Sequence, residues 1–223
     1  MKIILFIIFS LFFFTNSNAA CDDPLTDSVD YSNCRFSDAQ DLQGSYLPNS
    51  NLSFASFIQV NFDKSIMMNS NLSFGTFPES TFVRANLYET ISIGANFEKT
   101  NFTGSNLTRV DFMGATLIEA NFQNANLMEA NFTSSNITNA NFDGANLIGA
   151  NFEKTNFSGS NLTRVDFMGA TLIEANFQNS NLMEANFTSS NITNANFDGA
   201  NLIGATWTGG ETCGPASIGS CNK

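Results

Sequence analysis

Thiol chemistry is the first chemistry that this sequence offers, because four cysteines lie near its two ends: Cys21 and Cys34, then Cys213 and Cys221. A thiolate can act as a nucleophile, ligate zinc or form a disulfide. The chain has no histidine, which excludes a Cys–His catalytic pair, and neither pair of cysteines has the Cys-x-x-Cys spacing of zinc sites. Zinc is therefore the weaker alternative to disulfides, for which four cysteines allow three connectivities.

Carboxylates are the other candidates for chemistry. An acidic cluster runs from Asp22 to Asp30, but it lacks the alternating oxygens, central Gly and terminal Glu of an EF-hand loop, so calcium binding is a weaker alternative to a solvated cap. Asp111 and Asp166 are two copies of one residue in a duplicated segment rather than partners in a pocket. We therefore predict no catalytic residues, no cofactor and no bound metal, and a protein that is not an enzyme.

The balance of charges narrows the range of partners. Asp and Glu number 20 against 9 Lys and Arg, so the formal net charge of the 223 residues is -11. Proteins that bind phosphate backbones do so with clustered Lys and Arg, which displace counterions. We expect no nucleic-acid partner.

Residues 1–19 have the plan of a secretory signal peptide. One lysine precedes an apolar run over residues 3–14, and small residues stand before a cleavage site at Ala20. The run is shorter than the roughly 20 residues of a membrane-spanning helix. We predict a secreted or periplasmic protein with no stable membrane insertion after cleavage. Lipidation of Cys21 is the weaker alternative, because Asn18 stands where a lipidation signal carries an apolar residue.

A large apolar residue recurs every five positions from Leu42 to Trp207. The residue before it is usually Asn, the residue two before it is usually Ala or Ser, and the two after it are mostly polar or Gly. A fixed short period indicates a solenoid, and a period of five fits neither an α-helix nor a simple strand, so the chain must turn in every unit. Ser92 interrupts the pattern between two isoleucines, and we expect a local bulge there.

Several of these units carry a recognisable motif: residues 120–124 (Ala-Asn-Phe-Gln-Asn), 125–129 (Ala-Asn-Leu-Met-Glu) and 145–149 (Ala-Asn-Leu-Ile-Gly). They resemble the A(D/N)LXX repeat of the pentapeptide-repeat family, and the resemblance covers nearly all of the chain after the leader. It implies an all-β fold, a right-handed quadrilateral β-helix with four pentapeptides per coil and with Leu or Phe stacked along its axis.

This fold divides the chain into four parts. We predict a signal peptide at 1–19, an acidic N-terminal cap at 20–41, the β-helix at 42–207 and a C-terminal disulfide cap at 208–223. A solenoid holds its two ends far apart, so we expect each cysteine to pair within its own end, Cys21 with Cys34 and Cys213 with Cys221. The caps cover terminal coils whose edges would otherwise promote aggregation.

Charged residues agree with a coil of twenty residues, because charges at that spacing alternate in sign across neighbouring coils, with Lys64 and Arg84 as the exception. The predicted columns and pairs are Glu79, Lys99 and Glu119; Glu89, Arg109 and Glu129; Lys154 and Glu174; Arg164 and Glu184. Exposed pairs of this kind contribute only a few tenths of a kcal/mol each. The columns therefore help to set register more than stability.

A long internal duplication bears on function. Residues 94–148 recur as 149–203 with only Thr103 changed to Ser158 and Ala125 changed to Ser180. The offset of 55 residues is eleven pentapeptides, which is not a multiple of four, so the second copy is rotated by a quarter turn. The duplication thus favours lengthening of a rod over duplication of a binding face.

One corner of the predicted coil is nevertheless mostly apolar. At intervals of twenty, with Thr108 among them, it carries Met68, Tyr88, Met128, Ile148 and Met168. Such a stripe is a candidate interface for a protein partner or a homodimer, since methionines suit adaptable contacts. The alternative is that scattered apolar surface residues are ordinary.

We therefore expect a structural or protein-binding platform outside the cytoplasm, with a protein partner that the sequence does not identify. The resemblance implies one alternative, because some pentapeptide-repeat proteins mimic duplex DNA and inhibit or protect type II topoisomerases. This chain departs from that pattern: Asn rather than Asp precedes most core residues, and its acidic residues alternate with Lys and Arg. Net charge alone speaks to solubility and association rather than to a specific mimic.

Overall fold

The structure is a computed structural model that describes residues 21, 25–36 and 38–222. The predicted signal peptide, residues 1–19, lies outside the described residues, as do Asp22 and Asp23 of the predicted cap. None of the described residues forms a helix with the length and apolar character needed to cross a membrane.

Each five-residue repeat folds as one bridge followed by one turn, as Asn121 to Ala125 illustrate. Asn121 forms the bridge, and its side-chain oxygen accepts a hydrogen bond from the Gln123 N–H at 3.1 Å. The turn closes where the Ala125 N–H donates to the Phe122 carbonyl at 2.9 Å. Asn124 has a φ of 56°, the left-handed value that the third residue of a type II turn requires. The Asn before each core residue therefore stabilises the turn through its own side chain.

Four such repeats make one coil. Parallel bridges join residues twenty apart, such as Asn101 to Asn121 and Asn121 to Asn141. Between the bridges, the Phe122 N–H donates to the Asn141 carbonyl at 2.7 Å, and the Asn141 N–H donates to the Ala120 carbonyl at 2.9 Å. The predicted right-handed quadrilateral β-helix with four pentapeptides per coil is confirmed.

The ladder starts within the segment assigned to the N-terminal cap, and with a different spacing. Asp30 pairs with Asn51, twenty-one residues later, whereas Asp41 pairs with Asn61, twenty residues later. One extra residue is therefore accommodated between Asp30 and Asp41. The described part of residues 20–41 thus includes an irregular first coil of the solenoid, which the five-residue count from Leu42 could not reveal.

Stacked columns of side chains fill the core. Phe122 stacks on Phe102 with ring centroids 5.0 Å apart and on Phe142 at 4.6 Å. Rings of neighbouring columns meet edge to face, as Phe122 and Phe132 do at 6.1 Å. Each buried ring removes about 150–250 Å² from water and is worth about 1.5–3 kcal/mol relative to exposure. The stability of the rod therefore lies in these columns.

Ser92 does not distort its coil, so the predicted bulge is wrong. Its N–H donates to the Asp111 carbonyl at 2.7 Å, and its own carbonyl accepts from the Ala95 N–H at 3.2 Å, as in the neighbouring repeats. Ser92 is fully buried and its hydroxyl has no hydrogen-bond partner. The turn and the ladders on either side hold the register, and neither depends on the volume of the core side chain.

The C-terminal segment runs back across the last coil. Thr206 pairs with Thr212 and Asn201 pairs with Ile218, both in antiparallel orientation, so the chain reverses direction after Trp207. The Trp207 N–H donates to the Glu211 carbonyl at 2.7 Å within this reversal. The segment therefore acts as a cap that pairs with the end of the solenoid.

Candidate interaction surfaces

The four cysteines are joined in two disulfides. The Cα atoms of Cys21 and Cys34 lie 5.4 Å apart, and those of Cys213 and Cys221 lie 4.9 Å apart. None of the four is a free thiol. The first disulfide thus links Cys21 to the first coil, and the second closes a loop within the C-terminal cap.

Asp111 and Asp166 belong to different ladders and make the contacts that Asn makes elsewhere. The Asp111 carboxylate accepts from the Asn131 side-chain amide at 2.9 Å and from the backbone N–H two residues later at 3.1 Å. Asp166 accepts from the Asn186 amide at 2.9 Å in the same way. The structure does not bring the two carboxylates together. Each one accepts hydrogen bonds that stabilise its own turn and its contact with the next coil.

The predicted charge columns form in part. Arg109 spans two coils as expected, because its guanidinium donates to Glu129 at 2.7 Å and to Glu89 at 3.3 Å. The hydrogen bond to Glu129 has the larger effect and that to Glu89 the next larger, and both raise the pKa of Arg109 above its ordinary value. The column of alternating charges is therefore continuous at this corner.

Other predicted pairs are replaced by different contacts. Lys99 and Lys154 lie 3.8 and 3.1 Å from the glutamates that directly precede them, and Glu153 raises the pKa of Lys154. The Arg164 guanidinium donates to Asp143 at 2.6 Å. Lys99 and Lys154 thus pair within their own coil, and Arg164 pairs with a carboxylate in the preceding coil; the twenty-residue spacing of the charges could not show these partners.

The predicted interaction stripe lies on one corner of the solenoid. At this corner, successive coils are joined by backbone hydrogen bonds such as that from the Arg109 N–H to the Met128 carbonyl at 2.9 Å. Most members are half-buried, while Met168 has 41% of its surface exposed. Its role in binding stays a prediction. The members are Met68, Tyr88, Met128, Ile148 and Met168.

A more exposed apolar surface lies nearer the N-terminal end, and the sequence analysis missed it. Phe54 and Phe74 are 58% and 52% exposed, and their rings stack with centroids 5.1 Å apart. Ile91, on the adjoining face, is 43% exposed, and Met113, two coils after Phe74 near the same corner, is 40% exposed. We call these four residues the N-terminal apolar patch.

The residue type of the two phenylalanines, rather than their backbone, sets them apart from the other described turns. Phe54 and Phe74 both have a φ of 58°, whereas the other described turn residues with positive φ are Gly, Ala, polar or charged. A bulky aromatic side chain is uncommon in this region, which every turn of the repeat nevertheless requires. Two Phe residues where the repeat otherwise carries Gly, Ala, polar or charged residues are the sequence signal that could have located the patch.

The patch also lies largely outside the duplicated segment. Phe54, Phe74 and Ile91 precede residue 94, where the first copy begins, and among the four patch residues Met113 alone is copied, as Met168. Gly94 follows Phe74 by one coil, and a Cβ on Gly94 would stand 2.7 Å from the Phe74 ring. The surface is therefore a single feature near one end of the rod.

Comparison with protein families gives a match to the family described as pentapeptide repeats. Its model matches in eight copies, over segments that run from residue 33 to 164 and from 166 to 204. A comparison with curated proteins found no match.

Solved structures with such repeats are similar to this chain. A trypsin-treated variant of QnrB1, a plasmid-mediated fluoroquinolone resistance protein, is 22% identical, with 76% of this chain and 78% of that chain covered and a TM-score of 0.56. HetL, a protein involved in heterocyst differentiation regulation in the cyanobacterium Nostoc, is 24% identical, with 83% and 90% covered and a TM-score of 0.26. The likeness to QnrB1 concerns the fold alone.

Proposed function

This chain belongs to the pentapeptide-repeat family, and from that premise we propose that it is a non-enzymatic protein-binding platform outside the cytoplasm. The β-helix supplies a rigid rod, and the N-terminal apolar patch supplies the contact surface. One observation carries the proposal: Phe54 and Phe74 are exposed and stacked at left-handed positions where the fold does not require an aromatic residue.

The chemistry of the patch suits a protein partner. Aromatic side chains dominate the energetics of protein interfaces, and burying one exposed ring contributes about 1.5–3 kcal/mol. Asp111 is the charged residue beside Ile91 on its face, and its carboxylate is already hydrogen-bonded to Asn131. The partner surface that fits is therefore apolar rather than charged.

The polar groups of the chain support a role without catalysis. A hollow of about 110 Å³ near the N-terminal end is lined by Ser28, Val29, Asp30, Asn49 and Asn51. The Asp30 carboxylate there accepts from the Asn51 amide at 3.0 Å and from the Ser32 N–H at 2.9 Å. Its hydrogen bonds thus belong to the ladder and to a turn.

A location outside the cytoplasm is supported by the two disulfides and by the apolar leader at residues 1–19. Disulfides persist in oxidising compartments and are rare in the cytosol. We propose export, cleavage before Ala20 and a secreted or periplasmic protein.

The alternative function is that of a DNA mimic that inhibits or protects a type II topoisomerase. Duplex DNA presents one negative charge about every 1.7 Å along its axis. On this rod Arg109 stands between two glutamates and Arg164 contacts Asp143, so cations interrupt the carboxylates. The charge pattern therefore favours the platform.

The experiment compares residues 20–223 with two double variants as bait in extracytoplasmic and cytoplasmic extracts. Phe54→Asn/Phe74→Asn removes the rings and keeps a residue that accepts positive φ. Met128→Asn/Ile148→Asn alters the predicted stripe instead. Circular dichroism and light scattering establish that all three baits are folded and in the same oligomeric state.

The proposal expects a specific extracytoplasmic protein that the wild-type bait and the stripe variant retain and the Phe54→Asn/Phe74→Asn variant loses. Loss with the stripe variant alone would move the contact surface to Met128 and Ile148. Capture of a topoisomerase with no extracytoplasmic partner would overturn the platform and establish the DNA mimic.

A further inference from the structure

The last coil of the solenoid is capped on two of its four sides. In a regular repeat, the core residue and the residue two after it donate their N–H groups to the next coil. On one capped side the Leu202 and Gly204 N–H groups donate to the Ser217 and Cys213 carbonyls at 2.8 and 3.0 Å, and on the other the Trp207 N–H donates to the Glu211 carbonyl at 2.7 Å. The cap thus takes the place of a next coil on these sides.

The other two sides present an open edge. The equivalent positions are Ile192, Asn194, Phe197 and Gly199, and across residues 21, 25–36 and 38–222 their N–H groups find no acceptor. The carbonyls of Ser190 and Ala195, which would accept from a next coil, receive no hydrogen bond from those residues either. Unpaired donors and acceptors in this order are a template for another strand.

The open edge also has an apolar floor. Ile192 and Ala195 are partly exposed, whereas Leu202 and Ala205 at the capped sides are fully buried. The capping segment lies in the layer of a next coil, so it stands about 4.8 Å, one strand spacing, above the open sides. The end of the rod is therefore a step that is one strand high.

We infer that this open edge, residues 190–198, binds an extended peptide segment of a partner protein as an added β-strand. Carbonyls of the segment accept from the N–H groups of Ile192, Asn194 and Phe197, its N–H groups donate to the carbonyls of Ser190 and Ala195, and one apolar side chain covers Ile192. A single strand fits the height of the step, whereas the blunt end of a second copy would meet the cap first. The site is separate from the N-terminal apolar patch.

The test uses disulfide-bonded protein, residues 20–223, and a fluorescein-labelled peptide with the sequence of residues 190–199. In the solenoid, that segment pairs with the preceding coil through the N–H groups of Asn191 and Asn196, which donate to Ala170 and Ala175 at 2.9 Å. The control peptide carries proline at these two positions and so lacks both donors. We expect saturable binding of the first peptide and at least about tenfold weaker binding of the control.

Hydrogen exchange locates the binding. The amides of Ile192, Asn194 and Phe197 should exchange rapidly in the free protein and slow on adding the peptide, while those of Leu202 and Gly204 stay protected throughout.

Matched protein variants test the edge itself. Thr193→Lys places a charge at the open edge and should weaken binding by about tenfold, because lysine on an edge strand opposes pairing. Thr138→Lys makes the same change at the equivalent position inside the rod and should leave binding unchanged.

Equal affinity for both peptides, or no slowing at the three amides, would overturn the inference. So would protection of these amides without peptide in a protein that light scattering shows to be dimeric, since a second copy would then occupy the edge. The Phe54→Asn/Phe74→Asn variant should bind the peptide normally, which keeps a failure here distinct from a failure of the proposed function.

Discussion

Arg109 and Arg164 are the same residue in the two copies of the duplicated segment, yet they bind different carboxylates. Arg109 lies between Glu89 and Glu129, whereas Arg164 lies 2.6 Å from Asp143. The offset of 55 residues places different neighbours one coil before each arginine. The two copies of the duplicated segment therefore present different surface contacts although their sequences are nearly identical.

Because both arginines are exposed, their replacement should affect stability only through screened electrostatics. We expect Arg109→Gln and Arg164→Gln each to lower the melting temperature slightly at low salt, and the difference from wild type to vanish near 1 M salt, where the Debye length is about 3 Å. Thermal unfolding at several salt concentrations measures this. A loss that salt does not change would point to packing rather than charge.

The contact between Phe74 and Gly94 predicts a position-dependent cost of adding a methyl group. Gly94 and Gly114 have φ of 62° and 65°, but a Cβ on Gly94 meets the Phe74 ring at 2.7 Å, whereas one on Gly114 meets nothing within 4 Å. Both alanine variants should lose about 1 kcal/mol from the left-handed backbone. Gly94→Ala should lose more in urea unfolding, and Phe74→Ala should abolish the excess. Equal losses would show that the ring moves aside without cost.

Two buried serines should respond to alanine in opposite directions. The Ser92 hydroxyl has no partner, so Ser92→Ala should leave the free energy of unfolding unchanged or raise it by up to about 1 kcal/mol. The Ser80 hydroxyl donates to the Phe57 carbonyl at 2.8 Å and accepts from the Val60 N–H at 3.0 Å. Ser80→Ala should therefore cost about 1–3 kcal/mol. A large loss for Ser92→Ala would contradict this assignment.

Cavities should cost more in the middle of the rod than at its open end. Phe132 stacks on Phe152 at 4.8 Å and contacts Phe112 at 5.1 Å, so Phe132→Ala should cost about 3–5 kcal/mol. Ile192 is partly exposed at the open edge, so Ile192→Ala should cost about 1 kcal/mol. Chemical denaturation of both variants compares them, and similar losses would mean that the end is covered in solution.

Loss of the C-terminal disulfide should expose the rest of the terminal edge. We expect Cys213→Ser/Cys221→Ser to cost about 2–3 kcal/mol and to free the N–H groups of Leu202 and Gly204 as the cap detaches. Size-exclusion light scattering should then show end-to-end oligomers, whereas Cys21→Ser/Cys34→Ser should leave this end monomeric. A monomeric first variant would show that the cap stays paired without its disulfide.

The periodic part of the fold could be predicted because one residue in five carries the signal. The large residues, the Asn before them and the charges around Arg109 define the coil without reference to distant sequence. Breaks in the period are harder to place: the extra residue between Asp30 and Asp41 leaves no mark in the composition. The period likewise suggested a bulge at Ser92, although backbone hydrogen bonds maintain the coil there.

The candidate sites were harder to predict, because exposure depends on what surrounds a residue. The position of Met128 and Ile148 in the repeat predicts exposed side chains, yet the neighbouring coils at the same corner leave them half-buried. Phe54 and Phe74 look like additional core residues until the turn places them outside. The open edge at Ile192 depends on how much of the last coil the non-repetitive cap covers, and the repeat pattern does not predict the extent of that cap.

The coil of twenty residues has a consequence for the two ends of the molecule. Phe54, Phe74 and Asn194 fall on one corner of the rod, joined through an unbroken series of coil-to-coil hydrogen bonds. The Phe54–Phe74 pair and the open edge therefore lie on the same corner of the rod. Removing one copy of the 55-residue segment would shorten the rod and also turn the edge onto the next corner. For a single partner that contacts both ends, the number of copies therefore sets both the distance between the two contact sites and the angle between them about the rod.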